Sequence, residues 1–383
     1  MTYWRQLKQR GTHDEPPQNE EKRSPKVAMG YDIDRSRDQI ECLTTAIAAR
    51  GTHKTARDPL AAAYAEGDTR LFPPLARACL RAAGRDCGLL SDAEAIHLAN
   101  TTSDYPVSIG SVVAKALLPA YQHARPAYRR TFARRDLKDF HATDMTRPAD
   151  FPVPQRVAEG GEVKLGSFTE SGETATLASY RSGIAISRQL QVNDEVGVVG
   201  GLATGAGLRC ADLEDSIAFA VLTSGANADG PTMRDGGQLC SIARGNKASS
   251  GAVISATTIS TGRAALANAT SPDGTKSVAT ARYLVCPPSL LTLAEIELAK
   301  LNPGADPDQR ITPIASPNLT GTAWYLFADP ALPALVYSYM AGASGPIVVA
   351  ASDWETDGIA VQVTLDFAVT AVDPRGVWKN PGA

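Results

Sequence analysis

The sequence predicts an α+β protein with one long central helix and several separate strands after it. Apolar residues recur every three or four positions from Val199 to Ala220, which is typical of a single helix of about 28 residues. Beyond it, β-prone stretches such as ARYLVCP, TAWYLFA and IAVQVTLDFAVTAV are separated by Asp-Gly turns. One helix, predicted over residues 289–301 with Ser289 as its cap, interrupts these strands. Because neither βαβ alternation nor an internal repeat is present, the class is α+β rather than α/β.

The size and charge of the chain limit its function. With 383 residues, of which 43% are hydrophobic, we expect more than one substructure, since single cores stop growing near about 250–300 residues. Residues 1–150 carry 23 basic and 19 acidic side chains and the remainder carries 15 and 22, so the formal net charge is only -3. This balance excludes strong attraction of the whole molecule to nucleic acid or to an anionic membrane. The chain has no apolar run near the ~20 residues of a membrane span and no secretory signal, which predicts a soluble protein that is not exported.

The front of the chain predicts a tail followed by small helices on linkers. Residues 11–30 are rich in Pro, Glu, Lys and Asn, a composition typical of a flexible arm. Three helices are expected after it: one with a capping box at Ser36 and Gln39 that Gly51 ends, one over residues 75–83, and one opened by Ser91 with Glu94.

A basic stretch with interleaved aromatic residues occupies positions 123–140. Its basic residues are Arg125, Arg129, Arg130, Arg134, Arg135 and Lys138, and its aromatic residues are Tyr128, Phe132 and Phe140. This combination can mark contact with nucleic acid. We prefer the interpretation that it is an amphipathic arm docked on acidic neighbours, because the chain that follows residue 150 has 22 acidic and only 15 basic side chains.

Residues 160–194 alternate in the manner of a long β-hairpin whose turn we place at Ser171-Gly172. The alternating apolar positions are Val163, Leu165, Leu177, Ile184 and Ile186. These are too few to form a core, and an isolated two-stranded hairpin is only marginally stable in water. Two arms of about 11 residues at ~3.3 Å each reach roughly 35 Å, far enough to cross onto a neighbouring subunit. We therefore expect the hairpin to serve assembly.

Signatures of catalysis, of cofactor binding and of metal binding are missing. All five histidines lie within the first 141 residues, which disfavours a Ser-His or Cys-His enzyme in the β-rich body. The stretch GASGP lacks the last glycine of a nucleophile elbow, and Gly205 with Gly207 lacks the third glycine and the βαβ setting of a dinucleotide site. We expect no catalytic residue, no cofactor and no metal. The six cysteines are expected to be reduced, structural thiols.

Five separated segments carry a resemblance to a known family. They are TTSDYPVSIGSVVAKALLPAYQ, EGGEVKLGSFTESGETATLASYRSGIAISRQLQVNDEVG, LRCADLEDSIAFAVLTSG, ARYLVCPPSLLTLAE and DGIAVQVTLDFAVTAVDPRGVWKNPGA. In this order they resemble tailed-phage major capsid proteins of the Hong Kong 97 type, specifically the major head subunits of Mu-like prophages. Those subunits also occur as the capsid half of fusions with a ClpP-like prohead protease. The resemblance covers roughly residues 90–383, and the preceding residues resemble the variable linker of such fusions.

The resemblance implies a Hong Kong 97-like fold with an N-terminal arm, an extended loop, a long spine helix, and peripheral and axial domains. The implied parts are a variable, scaffold-like or arm segment over residues 1–90, the N-terminal arm over 91–150, the extended loop over 151–190, the peripheral domain with the spine helix over 191–279, the axial domain over 280–351, and a return to the peripheral domain over 352–383. Two alternatives stay open for the front: a scaffolding segment that is removed on maturation, or an arm that is retained. We favour retention.

The implied function is that of a major capsid protein, with no active site. Its copies form the hexamers and pentamers of an icosahedral shell around double-stranded DNA bound without sequence specificity. The implied partners are a portal, a scaffolding protein and a prohead protease, without a membrane, and the implied location is the virion after assembly in the host cytoplasm. The expected inter-subunit contacts are Val163, Lys164, Leu165, Phe168, Leu177 and Arg181. Some relatives of the fold join a loop lysine to an asparagine of another subunit, which here makes Lys164 with Asn318 or Asn380 the candidates.

Two other functions stay open at this point. An encapsulin-type cellular compartment shares the implied fold and differs by enclosing protein cargo instead of DNA. An enzyme with an unrecognised site is the more remote alternative, and a substrate-sized pocket lined by convergent polar groups would favour it.

Overall fold

The computed structural model describes residues 33–52, 58, 61–62, 64–65, 70–146, 156, 172–193, 197–270, 276, 279–301, 310–353, 355 and 357–383. Its helices are α1 (Ile33–Gly51), α2 (Phe72–Ala82), α3 (Asp92–Asn100), α4 (Asp104–His123), α5 (Tyr128–Thr131), α6 (Arg188–Asn193), α7 (Val198–Leu222), α8 (Ala256–Ala267) and α9 (Leu291–Leu301). Its strands are β1 (Ala133–Arg134), β2 (Thr143–Met145), β3 (Glu173–Ala175), β4 (Ala178–Ser187), β5 (Ala281–Cys286), β6 (Thr312–Ala315), β7 (Trp324–Ala328), β8 (Leu335–Tyr339), β9 (Ile347–Asp353), β10 (Gly358–Ala371) and β11 (Val377–Asn380). The predicted α+β class is confirmed.

The front helices are confirmed at their predicted places. Helix α1 begins at Ile33, so Ser36 lies inside the helix rather than capping it, and Gly51 is its last residue. Ser91 caps α3 as predicted: its hydroxyl accepts the Glu94 backbone N–H at 3.3 Å, and the Glu94 carboxylate accepts the Ser91 backbone N–H at 2.9 Å. The cap satisfies two backbone donors that the first turn of a helix leaves unpaired.

The expectation that these helices stand on linkers is wrong. Helices α1 to α4 pack together against the start of α7 and the first half of β10 in one continuous core. The core includes Leu43, Ile47, Leu75, Leu80, Ile96, Ile109, Val199, Ile359 and Val361. Each helix contributes only a few apolar residues, so burial becomes sufficient only when all of them meet the body of the protein.

Helix α7 confirms the predicted long helix, with 25 residues instead of about 28. Its buried side, however, is not the apolar stripe that defined it in the sequence. Leu202 and Leu213 of that stripe are exposed by 44% and 37%, whereas the side packed on the subunit carries Ala203, Gly207 and Glu214. The middle of the helix therefore turns Leu202 and Leu213 outward, whereas Phe219 and Leu222 near its end are buried.

Gly207 lets α4 and α7 cross closely. A Cβ at this position would lie 2.4 Å from the carbonyl oxygen of Leu117 on α4, a distance that no side chain tolerates without moving the backbone. The glycines of α7 lower its intrinsic helix propensity by ~1 kcal/mol each relative to alanine. At Gly207 this loss of helix propensity is accompanied by close packing of α4 against α7.

The first sheet has the strand order β1-β8-β10-β4, with β9 pairing the first half of β10. The 14-residue strand β10 lies at its centre, and it confirms the strand predicted from IAVQVTLDFAVTAV. Strand β4 runs antiparallel to β10 without a bulge, from the Ala178–Phe367 pair to the Ser187–Gly358 pair. Residues far apart in the sequence therefore form one surface under α7.

The second sheet has the order β11-β7-β5-β6, and α8 and α9 pack on it. It confirms the strands predicted from ARYLVCP and TAWYLFA, and α9 confirms the helix predicted after Ser289, beginning two residues later at Leu291. The sheets divide the chain differently from the predicted boundaries. Strand β8 and most of β9, within residues 280–351, join the first sheet, and β11, within 352–383, joins the second.

The predicted hairpin is wrong in its pairing. Strand β3 pairs with β2, in the register Thr143–Ala175 to Met145–Glu173, and β4 pairs with β10. Gly172 therefore precedes a strand whose described partner lies at 143–145, while Ser171 and the predicted first arm of the hairpin lie outside the described residues. The sequence placed the turn next to β3 because Ser-Gly is a turn signal, while the true partner strands are specified by distant residues.

The cysteines agree with the expectation of reduced thiols. All six cysteines are free, and Cys210 is the one that is not fully buried. Among the described helices, none is long and apolar enough to cross a membrane.

Candidate assembly site

The candidate site is built around the base of the connection between β2 and β3, residues 146–172, which we call the extended connection. Strands β2 and β3 close it with three antiparallel residue pairs. Most of the extended connection lies outside the described residues. Its two ends are held side by side, so the base is a fixed point of the subunit from which the connection departs.

Polar contacts fix this base to the segment that follows α7, the predicted spine helix. The buried carboxylate of Glu173 accepts the backbone N–H of Arg234 at 3.0 and 3.1 Å. In return, the Arg234 guanidinium donates to the Gly172 carbonyl at 3.2 Å and lies 3.8 Å from the Asp144 carboxylate. A carboxylate that accepts backbone N–H groups forms strong hydrogen bonds, so the departure point of the connection is rigidly oriented.

The predicted contact residues fall into three groups. Val163, Lys164, Leu165 and Phe168 lie in the extended connection, outside the described residues. Arg181 is exposed on β4, opposite Thr364, and its role as a contact stays a prediction.

Leu177 requires a correction. It is 5% exposed and packs in its own subunit with Leu137, Met145 and Val336. The expectation that it gains most of its burial from another chain is therefore wrong, because its side chain is already covered. It serves instead to seat the base of the extended connection.

An open apolar groove lies between α7 and the face of β4 and β10. Its volume is about 350 Å³. Its lining residues are Val113, Ser182, Ile184, Ile186, Val199, Leu202, Ala203, Ala206, Arg209, Cys210, Leu213, Val361 and Val363. The lining is apolar apart from Ser182, Arg209 and Cys210, so this groove lacks the convergent polar groups of a substrate pocket.

A buried carboxylate on the inner side of α7 organises the basic segment 123–140. The Glu214 carboxylate, fully buried, accepts hydrogen bonds from the hydroxyls of Tyr121 at 2.5 Å, Tyr128 at 2.6 Å and Tyr339 at 3.0 Å, and from the Arg129 guanidinium at 2.9 Å. Burial raises the pKa of all three phenols above the usual range, and the neighbouring carboxylate raises it further. The interpretation that this segment docks on acidic neighbours is confirmed for Arg129.

The two candidate crosslink asparagines differ in access. Asn380 is buried, and its side-chain oxygen accepts the backbone N–H groups of Ala252 and Gly382, both at 2.9 Å. Asn318 is exposed, and its amide donates to the buried Asp215 carboxylate at 2.8 Å. Asn380 is thus held inside its own subunit, which contradicts its choice as a reachable partner for Lys164.

A lysine and aspartate cluster near the end of α7 was missed by the sequence. The Lys379 ammonium, almost fully buried, donates to the carbonyls of Asn227 at 2.7 Å and Ala228 at 2.6 Å and to the Asp229 carboxylate at 2.9 Å. Asn227 and Ala228 have φ values of 57° and 55°, a region that side chains other than glycine rarely occupy. The last strand therefore stabilises the strained turn that follows the spine helix.

The comparison with protein families gives one match. A family model described as phage capsid protein matches residues 171–380, which is more than half of the chain. The match begins at the base of the extended connection and includes α7, the second sheet and every strand of the first sheet except β1. No curated protein matches this chain.

The solved structures that match this chain include two from bacteriophages and one of an encapsulin complex. The procapsid of bacteriophage JBD30 matches with 16% identity and a TM-score of 0.43, covering 73% of this chain and 75% of that chain. Microbacterium phage Oxtober96 matches with 11% identity and a TM-score of 0.45, covering 67% and 91%. The holo-SrpI encapsulin complex from Synechococcus elongatus matches with 8% identity and a TM-score of 0.43, covering 70% and 88%.

Proposed function

We infer, from the premise that this chain belongs to the phage capsid protein family, that it is the major head subunit of a tailed phage or prophage. Its copies assemble as hexamers and pentamers into an icosahedral shell around double-stranded DNA. The observation that carries this proposal is the extended connection closed by β2 and β3 and fixed through Glu173 and Arg234. A long connection with an immobilised base is suited to reaching another subunit in a defined direction.

The length of the connection supports this role. It comprises residues 146–172, and two arms of about 13 residues at ~3.3 Å each span roughly 40 Å. Its apolar residues Val163, Leu165 and Phe168 would each gain about 1.5–3 kcal/mol if fully covered by a neighbour. Because every subunit of a shell repeats the same contact, this modest gain in free energy is multiplied over the particle.

The test is to shorten the connection. We replace residues 150–168 by a short Gly-Ser linker and keep β3 and β4, since those strands belong to the sheets of the subunit itself. The shortened subunit should keep its melting temperature, because a shorter loop slightly lowers the entropic cost of closing that loop on folding. It should form few or no particles in electron micrographs.

A matched control separates folding from assembly. Replacing Leu177 by Ala should lower the melting temperature instead, because this side chain is buried in its own subunit, and a buried leucine costs about 2–5 kcal/mol when truncated. Normal particles from the shortened subunit, or its collapse as a monomer, would contradict the proposal.

The charge of the chain suits a DNA container. A formal net charge of -3 gives no strong hold on phosphates, so packaged DNA would bind without sequence specificity and remain free to move in and out. The expected partners are a portal, a scaffolding protein and a prohead protease, with assembly in the host cytoplasm before release in the virion. We also propose that the two sheets occupy axial and peripheral positions in a capsomer.

The contents of purified particles distinguish the proposed function from its alternative. Particles made with the neighbouring head genes should contain nuclease-protected DNA. Protein cargo in the absence of DNA would favour an encapsulin-type compartment. Persistent monomers, both alone and with the neighbouring head genes, would contradict both.

A further inference from the structure

A polar pocket, which we call the α8 pocket, lies where the end of α8 meets the turns over residues 235–246 and the segment Pro374-Arg375. Its volume is about 350 Å³, which is far more than the ~30 Å³ share of one water molecule and lies within the range of ligand pockets, ~300–1,000 Å³. Arg244 and Asp235 line it beside small apolar side chains. Polar groups that converge on one cavity with apolar walls are typical of a ligand site.

Arg244 carries hydrogen-bond donors that the subunit uses only in part. Its side chain is 19% exposed, and its guanidinium donates from Nη2 to the Asp235 carboxylate at 2.6 Å. Among the described residues, this carboxylate is the one acceptor for the five N–H groups of the guanidinium. Because a largely buried donor without an acceptor costs stability, an acceptor from outside the subunit would complete this site.

The guanidinium is held in position by the fold itself. A Cβ at Gly237 would lie 2.6 Å from the Nη2 atom of Arg244, so the backbone of that turn packs directly against it. Asn246 fixes the next turn, because its amide donates to the carbonyls of Leu239 at 2.8 Å and Pro374 at 2.9 Å. The pocket walls are therefore preorganised, which lowers the entropic cost of binding.

The charges around the α8 pocket favour a ligand with one negative charge. Three ion-paired groups lie on the segments that form or adjoin it: Arg244 with Asp235, Arg375 with Asp373, and Lys247 and Lys379 with Asp229. These groups hold four basic and three acidic side chains, so they carry one positive charge in excess. One carboxylate would balance this charge, whereas a phosphate monoester carries about -1.5 to -2.

The remaining walls of the pocket are apolar and small. Ala265 and Leu266 in the last turn of α8, with Ala269 after it and Ala243 in the turn, leave room beside the guanidinium. A short apolar group attached to the carboxylate would fill this room. The described part of the lining contains no histidine, serine or cysteine, so it lacks the residues of a Ser-His or Cys-His enzyme.

We propose that the α8 pocket binds a carboxylate attached to a short apolar group, with the Arg244 guanidinium donating to both carboxylate oxygens. A planar fork of donors matches the two oxygens of a carboxylate. A free organic acid and the carboxyl end of a polypeptide share this chemistry. The inference stands apart from the proposed function, because it uses neither the extended connection nor an assembled particle.

Ligand-observed NMR titrations of the full-length chain test the pocket. The probes are N-acetyl-leucine, which joins a carboxylate to an apolar side chain, and N-acetyl-leucinamide, which lacks the charge. We expect N-acetyl-leucine to bind with a Kd of about 1–5 mM, which a ligand of a dozen non-hydrogen atoms reaches at ordinary ligand efficiency, and the amide to bind at least tenfold more weakly. Equal binding of the two probes, or no binding of N-acetyl-leucine at tenfold higher concentration, would overturn the inference.

Substitutions locate the binding. Arg244→Gln should weaken N-acetyl-leucine at least tenfold, whereas Arg263→Gln, on α8 but outside the pocket lining, should leave its Kd unchanged. Ala269→Phe fills the space and keeps the pair of Arg244 with Asp235, so it should abolish binding even if Arg244→Gln does not fold. Circular dichroism shows which variants are folded. An unchanged Kd in either folded pocket variant would overturn the inference.

Two further probes identify the source of the carboxylate. Isocaproate keeps the carboxylate and the apolar group but lacks the acetamido group of N-acetyl-leucine. Binding of N-acetyl-leucine that is more than threefold tighter than that of isocaproate supports the inference with a polypeptide end as the ligand, and equal or weaker binding supports it with a free acid. Inorganic phosphate that displaces N-acetyl-leucine at a lower concentration than isocaproate does would overturn the inference.

Discussion

Removing the Glu214 carboxylate should destabilise the unassembled subunit by about 3–5 kcal/mol. Four hydrogen bonds end on this fully buried group, and its partners come from α4, α5 and β8. Hydrogen bonds to a charged group contribute about 1.5–3 kcal/mol each, so simple addition would give roughly 6–12 kcal/mol, close to the whole stability of a typical protein. Addition overestimates the loss, because Arg129 is 27% exposed and can turn to water.

The variant Glu214→Ala removes the acceptor that three buried phenols share and leaves them only their contacts with one another at 3.0 Å. Breaking a buried ion pair costs about 3–5 kcal/mol. Glu214→Gln keeps the shape of the side chain and one acceptor oxygen, so we expect about 2–3 kcal/mol for it. Both losses of unfolding free energy are to be measured by urea unfolding of the unassembled subunit, monitored by circular dichroism.

The control is Asp212→Asn on the same helix. Its carboxylate is 68% exposed and lies 3.6 Å from Arg209, so its loss should change the free energy of unfolding by less than about 1 kcal/mol. A loss below about 1 kcal/mol for Glu214→Ala, similar to that of the control, would refute the view that this cluster joins the spine helix to the basic segment.

Three further predictions concern pH, packing and the front of the chain. Burial raises the pKa of Tyr105, Tyr121 and Tyr128 in the folded protein. The stability that these neutral phenols contribute is therefore fully present below the unfolded-state pKa of about 10 and is lost as the pH rises above it. Free energies of unfolding that stay flat to about pH 11 would contradict this prediction. Gly207→Ala should cost about 1–3 kcal/mol because its Cβ meets the Leu117 carbonyl oxygen at 2.4 Å, whereas Gly205→Ala, with nothing within 4 Å, should be neutral or stabilising in the same urea experiment. The front helices should be retained in mature particles, and an intact mass that lacks them would contradict their place in the core.

The sequence predicted elements whose signal is local. The helix at α7, the Ser91 cap and the strands β5, β7 and β10 were found from periodicity and capping residues. The front was misjudged because its core is not local. Leu43 and Ile96 belong to one core that also includes Ile359 of β10, more than 250 residues away in the chain, and no period in residues 33–100 reveals that surface.

The candidate site was predicted in its location and missed in its pairing. The alternation of residues 160–194 indicated strands there, but the partners of β3 and β4 are Thr143–Met145 and Gly358–Ala371. Glu214 was missed because a carboxylate on a long helix is usually solvated. Its one signal is its spacing, since it falls three residues after Ala211 and seven after Gly207, on the inner side of α7.

The error in assigning the face of α7 bears on function. Periodicity selects the stripe with the larger apolar side chains, and in a subunit that acts alone this stripe would face the core. Here the inner side carries small residues and Glu214 along the middle of α7, which suit close helix crossing and a polar cluster, and Phe219 and Leu222 near its end, while Leu202 and Leu213 line an open groove. A single chain gains nothing from that exposure, and an exposed apolar stripe invites aggregation unless a specific partner covers it. Assembly into a shell would cover this stripe, so its outward direction agrees with the function proposed above.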